Sequence, residues 1–393
     1  MNEKSSRDGL GTWILAIAIG MIPWSFAFTA EGKDYGDPVV QIAAVSLVGV
    51  IVFASLILGT RARRPRGLIV FFPLIFVSFF SYSSLLNGPY ISANLQLLNF
   101  IQMLGAAFLM VVVGLIPTVY DPRSVMIRLS IVLLPLVILG IVTDPGFGQV
   151  LQGVRLRPFG LTPNWSGEVL FSLFVCSWAA RRLYWRLSVG LISVLGLVAV
   201  QSRGAMLATA VFALALFRSW LINWRAEARG RARLAGVVVA AGIACIFVLL
   251  SVQFGEEFFG FLSDYVFLLA DDNRGLGTGL SGRLEVMELA SQDLKNRIWF
   301  GHGPGAGRDL VIHNGLLVVF YEGGIMMGLA TLIFLFVGIK EKLRDRNMFA
   351  ISGILGYLAL TLTSPRFFAT AIPCVLFYIS IFWDAQAKKI KGA

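Results

Sequence analysis

Between positions 281 and 328 the chain reads SGRLEVMELASQDLKNRIWFGHGPGAGRDLVIHNGLLVVFYEGGIMMG, its densest gathering of groups able to bind or move charge. His313 stands where apolar sequence resumes. A neutral imidazole, whose ordinary pKa is about 6.5, can take the proton of a hydroxyl as that oxygen attacks. Arg283 near the start of this stretch and Arg203 in QSRGA carry planar guanidinium forks that stay charged and match phosphate oxygens. Arg157, in VRLRPFGLTPNW, is a third candidate for the same anion. Such arginines can hold a diphosphate without metal, and a helix start nearby adds amide donors. Glu322 in YEGG and Asn314 beside His313 are candidate supporting groups, whereas His302 in the glycine stretch reads as structural. Each residue also has a plainer reading: Arg203 as a snorkelling interface arginine, Arg283 as a solvated one, His313 as a cap or packing residue. The adjacent acids Asp271 and Asp272, or Glu256 and Glu257, lack any metal-site spacing, so no metal or cofactor is expected.

These groups need elements to position them. Ser281 can cap a short helix through Leu294, with Glu285 in its first turn and Leu284, Met287, Ala290 and Leu294 along one side. GHGPGAG is too rich in glycine to continue that helix and predicts a tight, adaptable loop. On either side lie apolar runs. With 57% of 393 residues hydrophobic and a mean hydropathy of +0.79, the chain has more apolar sequence than a soluble core of its size can bury. The expected fold is therefore an all-α integral membrane protein of about 12 transmembrane helices, at 12–28, 38–58, 68–86, 97–116, 125–142, 165–180, 187–200, 205–217, 235–252, 316–337, 348–363 and 369–383. Residues 1–393 form a single membrane domain, and 253–315 a long, partly helical external loop. QSRG reads as a break in one element or as a tight turn between two helices.

Counting 12 spans puts 23 of the 33 lysines and arginines on one side, with both termini, which the positive-inside rule makes cytoplasmic. Residues 143–164, the QSRG turn, 253–315 and the turn at Ser364, Pro365 and Arg366 then fall outside. The same distribution argues against nucleic acid as the partner for a net charge of +11. Cys176, Cys245 and Cys374 all lie in apolar runs and imply no disulfide framework. The first apolar run lacks a clean cleavage site and reads as a retained helix. Walker, dinucleotide-binding and zinc-protease motifs are absent, which weakens ATP-driven and redox readings.

RPFGLTPN, QSRGAMLA, SGRLEVMELA, GHGPGAG and HNGLLVVFYEGG, in the order they fall along the chain, resemble the O-antigen ligase and Wzy-type polysaccharide polymerase superfamily, membrane glycosyltransferases of the GT-C type. The resemblance implies a glycan donor on undecaprenyl diphosphate, with Arg203 and Arg283 on the diphosphate and His313 activating a sugar or lipid A-core acceptor. It also implies inversion at the anomeric carbon, no nucleotide sugar, no essential metal, and a chain-length regulator as a possible partner. On this reading the protein sits in the bacterial inner membrane with its site facing the periplasm. A polymerase of O antigen or exopolysaccharide is narrowly favoured, with an O-antigen ligase and a lipid-linked glycan flippase as alternatives.

Overall fold

The computed structural model describes residues 3–22, 67–87, 93–152, 154–227, 283–304, 306–309, 312–364 and 371–383, with a few isolated positions at 50–57 and Phe367. Described residues are helical or lie in turns and irregular connections, and no strand occurs among them. In chain order the helices are α1 (Glu3–Gly20), α2 (Gly67–Asn87), α3 (Ala93–Val119), α4 (Pro122–Val142), α5 (Pro163–Trp178), α6 (Leu183–Val200), α7 (Arg203–Glu227), α8 (Arg283–Leu294), the single turn α9 (Ala306–Asp309), α10 (Gly315–Arg344), α11 (Met348–Thr361) and α12 (Ile372–Phe382).

The helices begin where their sequences supply a start. The Asp121 carboxylate accepts from the Ser124 amide ahead of α4, and Pro122 occupies a position whose missing N–H costs nothing there. Asn347 caps α11 in the same way, accepting from the Ala350 amide. The bundle is arranged around α12, every residue of which is buried. A helix apolar on all sides belongs in an interior, and α12 packs against α3, α5, α10 and α11. Its partner α11 lies close to α7 because Gly353 and Gly356 leave room for Ser380 on one side and Phe212 on the other. At the far end of α10, Lys342 is fully buried and donates from its Nζ to the Trp383 carbonyl oxygen, so this lysine closes the end of α12 instead of serving as a solvated loop charge. Trp185 is half-buried and donates to the Ser130 hydroxyl at 3.2 Å.

The outward faces are apolar. On α6, Leu183, Leu187, Leu191 and Leu195 recur every four residues and are all exposed. So large a contiguous stripe marks a surface covered by something other than water.

The expectation of about 12 membrane crossings is corrected. Among the described residues, three helices are long and apolar enough to cross a membrane: α4, α6 and α10. α5, α11 and α12 have 16, 14 and 11 residues, which at 1.5 Å each rise roughly 24, 21 and 17 Å, short of a bilayer core of about 30 Å. Their sequences are apolar because they are buried in protein, a property that hydropathy cannot tell from contact with lipid. The localisation falls with the count. An inner-membrane topology with both termini cytoplasmic and a periplasmic site followed from the parity of 12 crossings, and three candidate spans do not support it. The runs at 38–58 (apart from a few positions) and 235–252 lie outside the described residues.

Candidate functional site

Three connections far apart in sequence meet at one end of the bundle. The first enters from α4. Asp144 receives the Gly146 amide on Oδ1 at 2.8 Å and the Arg157 amide on Oδ2 at 2.6 Å, folding 144–157 back on itself. The Leu156 amide then donates to the Ala199 carbonyl at 3.3 Å, and the Arg155 guanidinium donates to the Gln201 carbonyl at 3.0 Å. Arg155 is thereby placed where α6 ends and its unsatisfied carbonyls are negative. The side chain of Arg157, whose backbone is held by Asp144, is exposed.

The second connection is the QSRG turn, which joins two separate helices. Gln201 adopts the left-handed conformation (φ 55°, ψ 41°) as the C-cap of α6, and Arg203 opens α7. Gly167 on α5 lies so close that a Cβ there would stand 2.1 Å from the Ser202 hydroxyl. The third connection leaves α11. A Cβ on Gly204 would stand 1.9 Å from the Thr363 hydroxyl, and the Ser364 hydroxyl donates to buried Glu168 on α5 at 3.0 Å. The Phe367 carbonyl accepts from the Tyr357 hydroxyl and, at 3.5 Å, from the Cys374 thiol. Pro365 and Arg366 lie outside the described residues.

His313 and Arg283 belong to a second neighbourhood. α8 spans 283–294 as its sequence predicts and packs on the first turns of α10, with Ala290, Ile312 and Tyr321 at the centre of a small core joined by Val286, Leu294 and Ala306. Ser281 and the Arg283 side chain are outside the described residues. His313 is half-buried between Ile312 and Asn314. Asn314 is the N-cap of α10, accepting from the Leu317 amide at 3.0 Å, so its side chain is committed to the helix start. Glu322 accepts from the Gly307 amide at 3.2 Å, which ties α10 to the glycine-rich loop.

That loop does more than turn. α10 is broken at Gly324 (φ 69°, ψ −173°). The groups freed by the break find partners in residues 298–303: His302 N to Tyr321 O at 2.8 Å, Gly303 N to Glu322 O at 2.9 Å, Ile325 N to Ile298 O at 2.7 Å, and Met326 N to Trp299 O at 3.4 Å. The Ser83 hydroxyl adds a bond to Glu322 O at 3.1 Å. Gly301 and Gly303 have φ of 66° and 95°, conformations that side chains rarely adopt. The backbone polar groups of a broken helix are thus paired without water.

Sequence reasoning missed Asp293 and Tyr321. The Tyr321 hydroxyl donates to Asp293 Oδ2 at 2.7 Å, the His302 ring stacks on the Tyr321 ring with centroids 4.4 Å apart, and His302 Nε2 lies 3.4 Å from Asp293 Oδ2. The only signal in sequence was the return of polar residues to the α8 face near its end. The Tyr321 bond pulls the Asp293 carboxyl below the usual carboxylate range; partial burial opposes this, and His302, Asn296 and Arg297 reinforce it. A depressed carboxyl contributes stability that is present above its unfolded pKa and lost as pH falls through the folded value. The contact between α8 and α10 is therefore expected to loosen below about pH 4. Amide hydrogen exchange across 286–294 should rise there relative to pH 7, and Asp293→Asn should remove most of that pH dependence.

Among the described residues no group of three or more His, Cys, Asp or Glu side chains is placed to hold a metal ion. The acid pairs Asp271–Asp272 and Glu256–Glu257 lie outside them. The expectation of a polymerase, with ligase and flippase as alternatives, does not carry over. It required a periplasmic cleft in a 12-span frame, and three candidate spans do not provide that frame. Comparison with protein-family models finds no match, and comparison with curated proteins finds none.

Proposed function

We propose that the chain is a membrane-embedded transferase whose arginine-bearing bundle end binds a lipid-linked diphosphate, the donor class implied by its resemblance to the O-antigen ligase and Wzy-type superfamily. The observation that supports this reading is the convergence of 154–157, 201–204 and 363–364. It puts Arg157 and Arg203 on connections joined by the Leu156–Ala199 and Arg155–Gln201 bonds. The starts of α5 and α7 lie at the same end, and helix starts favour anions. Diphosphate leaves without prior protonation when fixed positive charge receives it, so no general acid is required. In this reading Arg283 is a further anion ligand and His313 accepts the proton of the attacking hydroxyl.

The test is binding first and transfer second. The full chain in lipid nanodiscs is titrated with undecaprenyl diphosphate and with undecaprenyl monophosphate. Tighter binding of the diphosphate is expected, weakened about tenfold or more by Arg203→Ala and partly retained by Arg203→Lys, the loss of one charge-assisted fork. His313→Ala should leave that binding intact while abolishing glycan transfer from the lipid diphosphate to a sugar acceptor. Equal affinity for the two lipids, unmoved by Arg203→Ala, sinks the proposal.

A further inference from the structure

The segment that repairs the break in α10 carries an unusual sequence for a loop. Lys295 and Arg297 end the turn after α8, and Ile298 and Trp299 follow, the indole 62% exposed. The Ile298 and Trp299 carbonyls accept from the Ile325 and Met326 amides, which fixes the indole beside the first turn after the break. From that turn an exposed apolar face runs down α10 through Met326, Leu329, Ile333 and Phe336, spaced as one side of a helix. The face ends at exposed Lys340 and Arg344. Between Met326 and Arg344 the helix rises roughly 27 Å, close to the apolar thickness of a bilayer. Trp299 and Lys295 thus bound one end of a lipid-length stripe, and basic residues bound the other. An indole with an apolar body and a polar N–H suits the boundary between acyl chains and headgroups, and a nearby ammonium suits phosphate.

We infer that residues 295–300 form a membrane-surface anchor, in which the Trp299 ring lies at the boundary of acyl chains and headgroups and Lys295 meets the phosphate of an anionic phospholipid. The break at Gly324 is held at that depth. The first turns of α10, with α8 and the glycine-rich loop, then stand outside the apolar layer, while the part of α10 after the break crosses it. The occupant is a phospholipid surface. The lipid stripe of α10 leads directly into the segment, and its exposed charge is positive.

The experiment reads depth and does not depend on catalysis, so its outcome is separate from that of the transferase reading. The full chain and its Trp299→Phe variant are reconstituted in phosphatidylcholine vesicles containing lipids brominated either near the headgroup or near the chain ends. The difference between the two emission spectra isolates Trp299. The expected component is blue-shifted and quenched more by bromine near the headgroup than by bromine near the chain ends. Adding phosphatidylglycerol should increase that quenching in the wild type, and Lys295→Gln should abolish the increase. A Trp299 component that emits as in water and is quenched by iodide alone, or that is quenched most from the chain ends, overturns the anchor. Quenching by headgroup bromine that phosphatidylglycerol does not change overturns the role of Lys295.

Discussion

Gly324→Ala and Gly301→Ala are each expected to cost about 3 kcal/mol or more, enough to remove the folded protein from a detergent extract. Both positions combine a backbone conformation closed to side chains with the absence of space. At Gly324 a Cβ would lie 2.3 Å from the Trp299 carbonyl oxygen and 2.4 Å from the Phe300 amide nitrogen; at Gly301 it would lie 2.5 Å from the Gly324 amide nitrogen. The colliding atoms are backbone on both sides, so no rotamer change relieves the overlap. Positive-φ strain costs of order 1–3 kcal/mol and overpacking a further 1–3. Separation of the loop from α10 also breaks the four backbone hydrogen bonds between them, leaving eight polar groups without those partners. Thermal unfolding followed by fluorescence-detected size exclusion measures this. Gly105→Ala is the control: a Cβ there meets nothing within 4 Å, and alanine should raise helix stability by up to about 1 kcal/mol. Equal melting of Gly324→Ala and wild type would show that the break is not held as described.

The second large effect is in the connections that carry Arg157 and Arg203. Gly167→Ala places a Cβ 2.1 Å from Ser202 Oγ and 2.4 Å from Ser202 Cβ, and only the first of these can rotate away. α5 must then separate from the start of α7, at a cost of about 2–3 kcal/mol by the usual penalty of overpacking. Ser202→Gly removes both colliding atoms. Alone it should cost under about 1 kcal/mol, and in combination with Gly167→Ala it should restore most of the lost stability, a coupling that a double-mutant cycle reads directly. Arg203 follows Ser202 in the chain. If the transferase reading holds, Gly167→Ala should also weaken diphosphate binding, and the double variant should recover it. Additive losses in stability would mean that the two residues do not meet.

The helices were legible because apolar runs and start signals are local properties. The stretch 125–142 became α4 and 187–200 became α6, and the 283–294 helix was readable from one apolar side and a first-turn acid. What each helix faces was not legible. α12 and α4 have similarly apolar sequences, yet every residue of α12 is buried while Ile138, Leu139 and Val142 of α4 are exposed. A count of crossings from hydropathy treats those two cases as one. At the site, Arg203 and Arg157 stood out because charge is conspicuous in an apolar context. Glu168 did not, since a carboxylate inside an apolar run signals nothing until its partner, Ser364, is found 196 positions away. The glycines of GHGPGAG announced a tight loop. That the loop would supply the missing bonds of another helix depends on the second glycine pair in YEGG, and nothing in either stretch names the other.

The pairing of 298–303 with 321–326 sets an order on biosynthesis. The donor and acceptor groups that α10 lacks belong to residues made before it, so the loop has already left the ribosome when the broken segment reaches the lipid. A circular permutant beginning at Gly315 reverses that sequence of events, synthesising the interrupted helix while its complement is still untranslated. Its yield of inserted protein should fall although the finished contacts are the same.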